Sequence, residues 1–390
     1  MENTGTRRSP EIRGGASFPG QGGAAGAPAA GRLEAKDLSK VHGETTVIRR
    51  LSIEILPGEF FTVLGPSGSG KTTLLLMIAG FVKPTGGRLF LDGEDVAPLP
   101  PHRRAMGIVF QNLGLFPHLS VAGNVMFPLR MHGVSRTEAR KRAEAMLDRV
   151  GLSAFSERRP HTLSGGEQQR VALARVLVHP PKVLLMDEPL GSLDPPLREE
   201  LQKEIKKIHR EYRLTVCYVT HNRDEALRLS DRIAVLHAGE IVQVGAPADL
   251  YYRPNTAYVA KSLGEANFIP ATVTDRGGDT ALLELPGGQS AVVPGDAVPK
   301  EGGRRLLAVV RPEQVLIQSA ENAPEGGKPG WRGRVEEIAF YGGHKRVLVR
   351  TEGGLRIVAS CQAQTPLPAE PSVWAGFASS AVHLIPKNSE

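Results

Sequence analysis

One short run of small residues, ending in a lysine and a threonine, has the composition and spacing needed to hold phosphate. It consists of Gly65, Pro66, Ser67, Gly68, Ser69, Gly70, Lys71 and Thr72, followed by Thr73. The glycines let the backbone curl so that its N–H groups converge on phosphate oxygens. Lys71 supplies a positive charge for the β- and γ-phosphates, and the Thr72 hydroxyl is a suitable ligand for Mg²⁺. The pattern predicts a P-loop rather than an ordinary glycine-rich turn.

Two adjacent carboxylates and one imidazole add the chemistry of hydrolysis. Asp187 and Glu188 follow directly on the apolar run at 183–186, and His221 follows a second apolar run at 215–220. An acid at the end of a buried strand beside a P-loop is placed to hold Mg²⁺, a role that we assign to Asp187. Glu188 can orient or deprotonate an attacking water. A lone histidine is usually structural and its chemistry alone would not single out His221, but at the same sheet edge it could hydrogen-bond the γ-phosphate or the same water. The P-loop and the two acids predict cleavage of a nucleoside triphosphate.

Buried strands that alternate with amphipathic helices are expected to position these groups. Short apolar runs predict strands at 60–64, 183–186, 215–219 and 233–236. A helix is predicted over 197–212, where the apolar residues with helical spacing are Leu197, Leu201, Ile205, Ile208 and Tyr212. Another is predicted from Ser135, which forms a capping-box pattern with Glu138, to Gly151. This alternation is typical of a mostly parallel sheet covered on both faces.

Composition and apolar patterning divide the 390 residues into three parts. Residues 1–31 are rich in Gly, Ala and Pro without apolar periodicity, and they are predicted to form a disordered tail. Residues 32–265 are predicted to form the α/β domain. Residues 266–390 contain short alternating stretches, and their Gly-Gly pairs at 287–288, 342–343 and 353–354 indicate hairpins. This last part is expected to be a small antiparallel barrel or sandwich.

Composition argues against a chain that crosses a membrane by itself. The longest apolar runs have the length of a strand, far below the ~20 residues that span a bilayer. Any action at a membrane is therefore expected to depend on docking to another protein. The net charge of +7 is mild and permits an anionic partner, although a soluble basic enzyme is the simpler interpretation.

A run in the middle of the α/β part resembles the signature of ABC transporter ATPases. It reads Leu163-Ser164-Gly165-Gly166-Glu167-Gln168-Gln169-Arg170. Other elements match the family in its own order: the P-loop, Gln111 as the Q-loop glutamine, Asp187 and Glu188 as the Walker B acid and catalytic glutamate, Ser192-Leu193-Asp194 as the D-loop, and His221 as the switch histidine. The resemblance covers residues 33–265.

The resemblance implies an α/β P-loop NTPase fold of the ABC type, with a helical subdomain that carries the signature. It implies ATP and Mg²⁺ as ligands, with Mg²⁺ held by Thr72, Gln111 and Asp187. Glu188, His221 and Gln111 would serve catalysis.

The same resemblance implies that one chain cannot complete the site. Two nucleotide domains would pack head to tail, so that ATP lies between the P-loop of one and the signature of the other. Ser164, Gly165, Gly166, Glu167 and Asp194 would then contact the nucleotide of the partner. Because only one P-loop occurs in the sequence, we expect a two-fold homodimer. Gln111 and the segment 112–118 would relay closure of the dimer to a membrane partner.

Two positions depart from the family pattern. The aromatic residue that stacks on adenine is replaced by His42, which offers less stacking area. The fifth signature residue, commonly glutamine, is Glu167, and we expect its carboxylate to face the ribose rather than the phosphates.

The C-terminal part also resembles a known module. Val310-Arg311-Pro312-Glu313 resembles the TOBE accessory domain of importer ATPases, an OB-like barrel. Residues 264–268, 187–194 and 219–221 look most like polyamine (spermidine/putrescine) importer ATPases, with ferric-iron and other small-solute importers as the alternative. Two permease subunits and a periplasmic solute-binding protein are the implied partners. The implied location is peripheral, at the cytoplasmic face of a bacterial inner membrane.

Two alternatives involve nucleic acid. A soluble ABC ATPase acting on DNA or ribosomes usually carries two nucleotide domains or long coiled coils, and the sequence has neither pattern. The barrel could bind nucleic acid through Trp331, Arg332, Arg334, Tyr341, Lys345 and Arg346. Because aromatic residues are only 5% of the chain and a stacking surface needs several, we expect a solvated basic face and no nucleic-acid partner.

Overall fold

The computed structural model describes residues 30–191, 193–300, 303–322, 328–368 and 372–387. Residues 1–29 of the predicted disordered tail and Ser192 of the predicted D-loop lie outside these ranges. Gly31 is tied into the α/β part, since its amide donates to Lys182 O (3.0 Å) and its carbonyl accepts from the Thr215 hydroxyl (2.7 Å). Within the described ranges, no helix has the length and apolarity required to span a membrane.

Strands and helices alternate through the first part of the chain. The strands are β1 (Leu33–His42), β2 (Thr45–Ile55), β3 (Phe60–Leu64), β4 (Gly86–Leu91), β5 (Glu94–Asp95), β6 (Met106–Val109), β7 (Val183–Asp187), β8 (Thr215–Thr220), β9 (Arg232–His237) and β10 (Glu240–Gly245). The helices are α1 (Lys71–Ala79), α2 (Val121–Met131), α3 (Arg136–Arg149), α4 (Gly165–Leu177), α5 (Pro195–Tyr212), α6 (Arg223–Leu229), α7 (Pro247–Tyr252) and α8 (Ala257–Leu263).

A six-stranded sheet in the order β10-β9-β3-β8-β7-β6 forms the centre of this part. All its pairings are parallel except that of β10 with β9. Strands β3, β7 and β8 are buried along their whole length, because alternate side chains enter two different cores. Phe60 and Met186 join one core, whereas Phe61 and Val219 join the other. The four predicted strands are confirmed, and β7 extends one residue further, to Asp187.

The two cores cover the two faces of this sheet. One includes an antiparallel sheet of order β2-β1-β4-β5 together with α1. The other contains α2, α3, α4 and part of α5, so the predicted parallel sheet with covered faces is confirmed. The predicted capping box at the start of α3 is only half formed. Ser135 Oγ accepts from the Glu138 amide (3.3 Å), but the Glu138 carboxylate pairs with Arg142 instead (2.7 Å).

The C-terminal part is built of strands. They are β11 (Asn267–Gly277), β12 (Thr280–Leu285), β13 (Gln289–Pro294), β14 (Arg305–Val310), β15 (Leu316–Ser319), β16 (Gly330–Phe340), β17 (His344–Thr351), β18 (Arg356–Gln362), β19 (Ser372–Gly376) and β20 (His383–Pro386). They form two antiparallel five-stranded sheets, β13-β12-β11-β14-β20 and β15-β19-β16-β17-β18, around one shared apolar core. Each of the three Gly-Gly pairs lies between two hydrogen-bonded strands, as predicted.

The buried side chain of Arg311 helps to join the two parts of the chain, together with a small apolar cluster of Ala257, Ala260, Val309 and Ile385. Arg311, directly after β14, is 2% exposed, and its guanidinium donates five hydrogen bonds to backbone carbonyls of Tyr251, Ala260, Gly264 and Glu265. It also lies 3.9 Å from the centroid of the Tyr251 ring. Burial lowers the pKa of Arg311, and the carbonyl dipoles compensate for the lost hydration. The guanidinium therefore fixes β14 to the segment that carries α7 and α8.

Replacing Arg311 with lysine is expected to loosen this joint. An ammonium has three donors and no planar fork, so it cannot satisfy the same carbonyls. We expect R311K to lower the melting temperature by several degrees, for a loss of about 2–4 kcal/mol, and to speed proteolysis between residues 263 and 267. Calorimetry measures the first effect, and limited digestion with a glutamate-specific protease, which can cleave after Glu265, measures the second. Arg305→Lys, an exposed position on the same strand, is the control. Equal stability of the two variants would contradict the proposed role of Arg311 in joining the two parts.

Candidate active site

The P-loop lies between the end of β3 and the start of α1. Gly70 is the N-cap of α1 with φ 103°, a conformation that favours glycine. A Cβ on Gly65 would lie 2.5 Å from the carbonyl oxygen of Leu236, which closes that position to any side chain. The two glycines therefore allow the loop to pass close to neighbouring backbone.

The start of α1 has the donors that a phosphate group requires. No side chain caps the helix, and no acidic residue lies in its first turn, so its positive end faces outwards unneutralised. Ser69 is 4% exposed, and within the described residues its hydroxyl has no hydrogen-bond partner. A buried hydroxyl without a partner is costly unless a ligand satisfies it. The residues present therefore fit a phosphate ligand.

Lys71 lies at the centre of the charged groups. Its side chain is 4% exposed, its Nζ donates to Pro66 O (2.9 Å), and it lies 3.6 Å from Glu188 Oε1. Burial lowers the pKa of the Lys71 ammonium, and the nearby carboxylates of Glu188 and Asp187 act in the opposite direction. The buried cation is therefore held by oxygen atoms on the side where triphosphate oxygens would lie.

The other end of α1 is fixed by a buried arginine. The Arg104 guanidinium donates to the carbonyls of Met77 (2.7 Å) and Ile78 (2.8 Å) in the last turn, and to those of Ala97 and Leu99 nearby. These bonds satisfy carbonyls that have no partner inside the helix. Arg104 thereby anchors the C-terminal end of the helix that carries Lys71.

Thr72 and Asp187 form a pair suited to a divalent cation. Asp187 is the last residue of β7, and the Thr72 hydroxyl donates to its Oδ1 (3.1 Å). Burial raises the pKa of Asp187, and the hydrogen bond from Thr72 opposes that rise. A hydroxyl and a carboxylate are the oxygen ligands that Mg²⁺ prefers, and the metal charge would stabilise the ionised acid. The donor set fits Mg²⁺.

Glu188 and His221 are hydrogen-bonded to each other. The distance from Glu188 Oε2 to His221 Nδ1 is 2.9 Å, and the Glu188 amide donates to Val219 O (2.9 Å). Glu188 has φ 44°, which is uncommon for a residue with a side chain. This conformation keeps Glu188 beside Lys71, while the imidazole is 53% exposed. The exposed ring and the carboxylate can act together on a water or a phosphate oxygen.

Gln111 and His42 lie at the edges of the site. Gln111 is exposed, two residues beyond β6, whose last residue Val109 pairs with Met186 of β7. It is therefore at the same sheet edge as Asp187, although within the described residues no hydrogen bond joins it to either carboxylate. His42 is exposed at the end of β1 and pairs with Thr45. Further along β2, the carbonyl of Val47 lies against Gly70, so this hairpin borders the P-loop.

Ser164 and Asp194 each start a helix, away from Lys71. Ser164 caps α4, and Asp194 Oδ1 caps α5 by accepting from the Leu197 amide (3.0 Å). A Cβ on Gly166 would lie 2.8 Å from the Leu197 side chain, so the two helix starts are packed together. Within the described residues, the hydrogen bonds of Ser164 go to Glu167 and Gln168, and none reaches the P-loop. The predicted site residues thus fall into two separate groups, one around Lys71 and one around Ser164.

Glu167 caps the helix that carries the signature run. Its Oε2 accepts from both the amide (2.7 Å) and the hydroxyl (2.9 Å) of Ser164, which completes a capping box. The physical reason is the unsatisfied amides of the first helical turn, which attract the nearest carboxylate. The Ser-x-x-Glu spacing in the sequence was a sufficient signal for this contact.

A buried acid behind His221 escaped the sequence reasoning. Glu225, 2% exposed, accepts from the hydroxyls of Tyr218 (2.8 Å) and Thr220 (2.7 Å) on β8, and lies 3.9 Å from Arg198 of α5. Arg198 in turn donates to Leu193 O (2.7 Å). The network connects the strand before His221 with the loop before Asp194. The sequence signal for a helix start at this point was Asn222, which caps α6 and lies three residues before Glu225.

A parallel sheet that brings a P-loop, an acidic pair and a histidine to one edge defines a P-loop nucleotide hydrolase. The family model for ABC transporters matches residues 48–191, and that for the TOBE domain matches residues 308–385. The chain belongs to the family of ABC transporter ATP-binding proteins, and its all-β C-terminal part contains a TOBE domain. Membership in this family implies ATP as the nucleotide.

Curated relatives and a solved structure agree with this placement. The spermidine/putrescine import ATP-binding protein PotA of Frankia alni is 44% identical over 357 residues, covering 87% of this chain and 75% of that protein. The protein of the same name from Nitrosomonas eutropha is 42% identical over 334 residues, covering 86% and 92%. A dimeric bacterial ABC transporter cassette matches with a TM-score of 0.51 and 35% identity, covering 55% of this chain and 98% of that chain.

Glu188→Gln is expected to separate nucleotide binding from hydrolysis. The amide keeps the size of the carboxylate but cannot accept the proton of an attacking water. We expect ATP hydrolysis to fall by ~10² or more, the usual effect of losing a general base, while ATP is still bound. Phosphate release and binding of a fluorescent ATP analogue measure the two properties. Glu211→Gln, at an exposed position on α5, should change neither. Wild-type turnover in E188Q would remove the catalytic assignment.

Proposed function

We propose that this chain is the ATP-hydrolysing subunit of a polyamine importer, and that two copies work as a homodimer beneath two separate permease subunits. The observation that carries the proposal is the division of the site into two half-sites. Lys71, Asp187 and Glu188 share one of them, whereas Ser164 starts a different helix. A two-fold pairing places each P-loop opposite the partner's signature and completes both sites by one symmetric contact.

In the proposed reaction, side chains of this protein activate the attacking water, and Mg²⁺ would neutralise the negative charge of the phosphates. Thr72, Asp187 and Gln111 would hold the ion. Glu188 takes a proton from water as the water oxygen attacks the γ-phosphorus, and the bond to the β–γ bridging oxygen breaks. His221 orients Glu188 through the 2.9 Å contact and presents its exposed ring to the γ-phosphate. Lys71 binds oxygens of the β- and γ-phosphates throughout.

The surface around residues 110–118 is the proposed contact with the permease. Phe81 is 55% exposed, and its ring lies 5.8 Å from that of Phe110, just before Gln111. An exposed aromatic ring that packs on a half-buried one, next to the candidate nucleotide site, favours a protein partner. Arg175 of α4 holds the following segment by donating to the carbonyls of Leu113 (2.7 Å) and Gly114. Docking here would place the chain peripherally at the cytoplasmic face of a bacterial inner membrane.

Polyamine as the transported solute rests on the names of the relatives, which are spermidine/putrescine import proteins. A periplasmic solute-binding protein would deliver the polyamine to the permeases. Ferric iron or another small solute is the alternative within the same branch.

The burial of Trp331 argues against a nucleic-acid-binding surface on the C-terminal part. Trp331 is 7% exposed, lies in the C-terminal core, and donates its Nε1 to Pro286 O (2.6 Å).

Mixing two inactive variants tests whether the half-sites meet between chains. Lys71→Ala removes a P-loop charge, and Ser164→Phe blocks the signature. Each variant alone is expected to lose ATP hydrolysis, since both sites of its homodimer are damaged. A mixture should recover part of the activity, because one site of the mixed dimer combines an intact P-loop with an intact signature.

Ser135→Phe, which alters the N-cap of α3, controls for simple loss of a helix cap. Hydrolysis by Ser164→Phe alone, or no recovery in a mixture that forms mixed dimers, would contradict the shared site.

A reconstituted complex tests the transported solute. The chain, its permeases and the binding protein are placed in proteoliposomes, and uptake is measured for spermidine, putrescine and ferric iron. Polyamine uptake that requires ATP and stops with Glu188→Gln is the expected result. Uptake of iron without polyamine would replace the substrate class but leave the ATPase assignment intact.

A further inference from the structure

The signature donors are already engaged within one chain. Both donors of Ser164, the amide and the hydroxyl, go to the same carboxylate oxygen of Glu167, at 2.7 Å and 2.9 Å. The Ser164 hydroxyl also accepts a hydrogen bond from the Glu167 amide, and at 3.4 Å this bond is weak. In the proposed dimer these donors would have to serve the γ-phosphate of the partner. Glu167 and that phosphate therefore compete for one serine.

Charge makes the competition stronger than geometry alone. The amide and hydroxyl of Ser164 lower the pKa of Glu167, so the carboxylate is ionised at neutral pH. An ionised carboxylate is acceptor-only and cannot donate to a phosphate. It also places a negative charge at the helix start that would receive a second, larger negative charge. A glutamine in this place would keep an acceptor for Ser164 without the charge.

We propose that Glu167 is a latch on Ser164, and that release of this latch sets the ATP concentration at which the dimer closes. The inference rests on the proposed function, because it assumes that Ser164 binds the partner's nucleotide. Glu167 acts through Ser164 and is a positioning residue, not a catalytic one. While the latch is closed, the hydrogen-bond donors of Ser164 are satisfied within the chain. Closure of the dimer therefore requires a higher ATP concentration than it would with a neutral side chain at position 167.

A nearby cation can receive the released carboxylate. Arg158 and Arg170 both act on the charge of Glu167. Arg170 is already paired with Glu200 (2.7 Å) and Glu204 (3.2 Å). Arg158 packs over the Phe155 ring at 4.7 Å and has no ion pair within the described residues. The open position of the latch therefore has Arg158 as its partner.

Glu167→Gln tests the latch in the full chain. Dimer formation is followed by analytical ultracentrifugation as ATP is added, in the Glu188→Gln background that prevents turnover. We expect the half-maximal ATP concentration to fall about fivefold or more in E167Q, because one like-charge repulsion is removed from each site. Glu138→Gln is the matched control, since Glu138 holds the same position in the first turn of α3 behind Ser135.

A purely structural capping role predicts a different result. Losing the charged cap lowers thermal stability by a small amount and would weaken, not strengthen, the response to ATP. A stability loss together with tighter ATP-driven pairing therefore supports the latch. An unchanged or higher ATP requirement in E167Q, with normal pairing of the Glu188→Gln parent, would overturn the latch alone. Absence of pairing in every variant would overturn the proposed function and the latch with it.

Discussion

The buried ammonium of Lys71 is the constraint on which the rest of the site depends. A cation that is only 4% exposed must be surrounded by oxygen atoms, and the chain supplies them from Pro66 and Glu188. Two carboxylates beside one cation leave excess negative charge, which a magnesium ion would balance. The parallel order β3-β8-β7 provides this arrangement, because the carboxyl ends of adjacent strands meet at one edge. Anchoring α1 through Arg104 then keeps the ammonium in register with that edge.

Local sequence was enough to predict that Lys71, Asp187, Glu188 and His221 meet at this edge. The glycine spacing predicts the P-loop. Apolar runs predict the strands before Asp187 and His221. What could not be predicted were contacts made between distant segments. Arg311 reaches carbonyls some fifty residues earlier in the chain, and Glu225 joins a strand, a helix and the loop before Asp194. The Asn-x-x-Glu spacing places Glu225 in the first turn of a helix, but it does not reveal the distant partners of that carboxylate, and the partners of Arg311 have no local sequence pattern either.

The C-terminal sheets show the same limit in another form. Gly-Gly pairs marked the hairpins, since such turns are local events. The order of the strands depends on non-local pairing: β20 joins β14, and β19 lies between β15 and β16. Only the completed core around Phe377 and Trp331 selects that order. Exposed and buried aromatic residues also look alike in sequence, which is why Trp331 could be considered for a binding face that its burial rules out.

The helix α4 gives the proposed coupling a physical form. It begins behind Ser164, where the partner's γ-phosphate would bind, and Arg175 near its other end holds the carbonyls of Leu113 and Gly114. A helix of this length extends about 20 Å and moves as a rigid rod, since every turn is hydrogen-bonded to the next. Burial lowers the pKa of Arg175, as expected for a guanidinium whose hydration is replaced by carbonyls. Any shift of Ser164 towards a phosphate must therefore also move the segment next to Phe110 and Phe81. In the proposed assembly, the partner's nucleotide would act on one end of α4 and the permease on the segment held at its other end, so the loops between them would not need to transmit force.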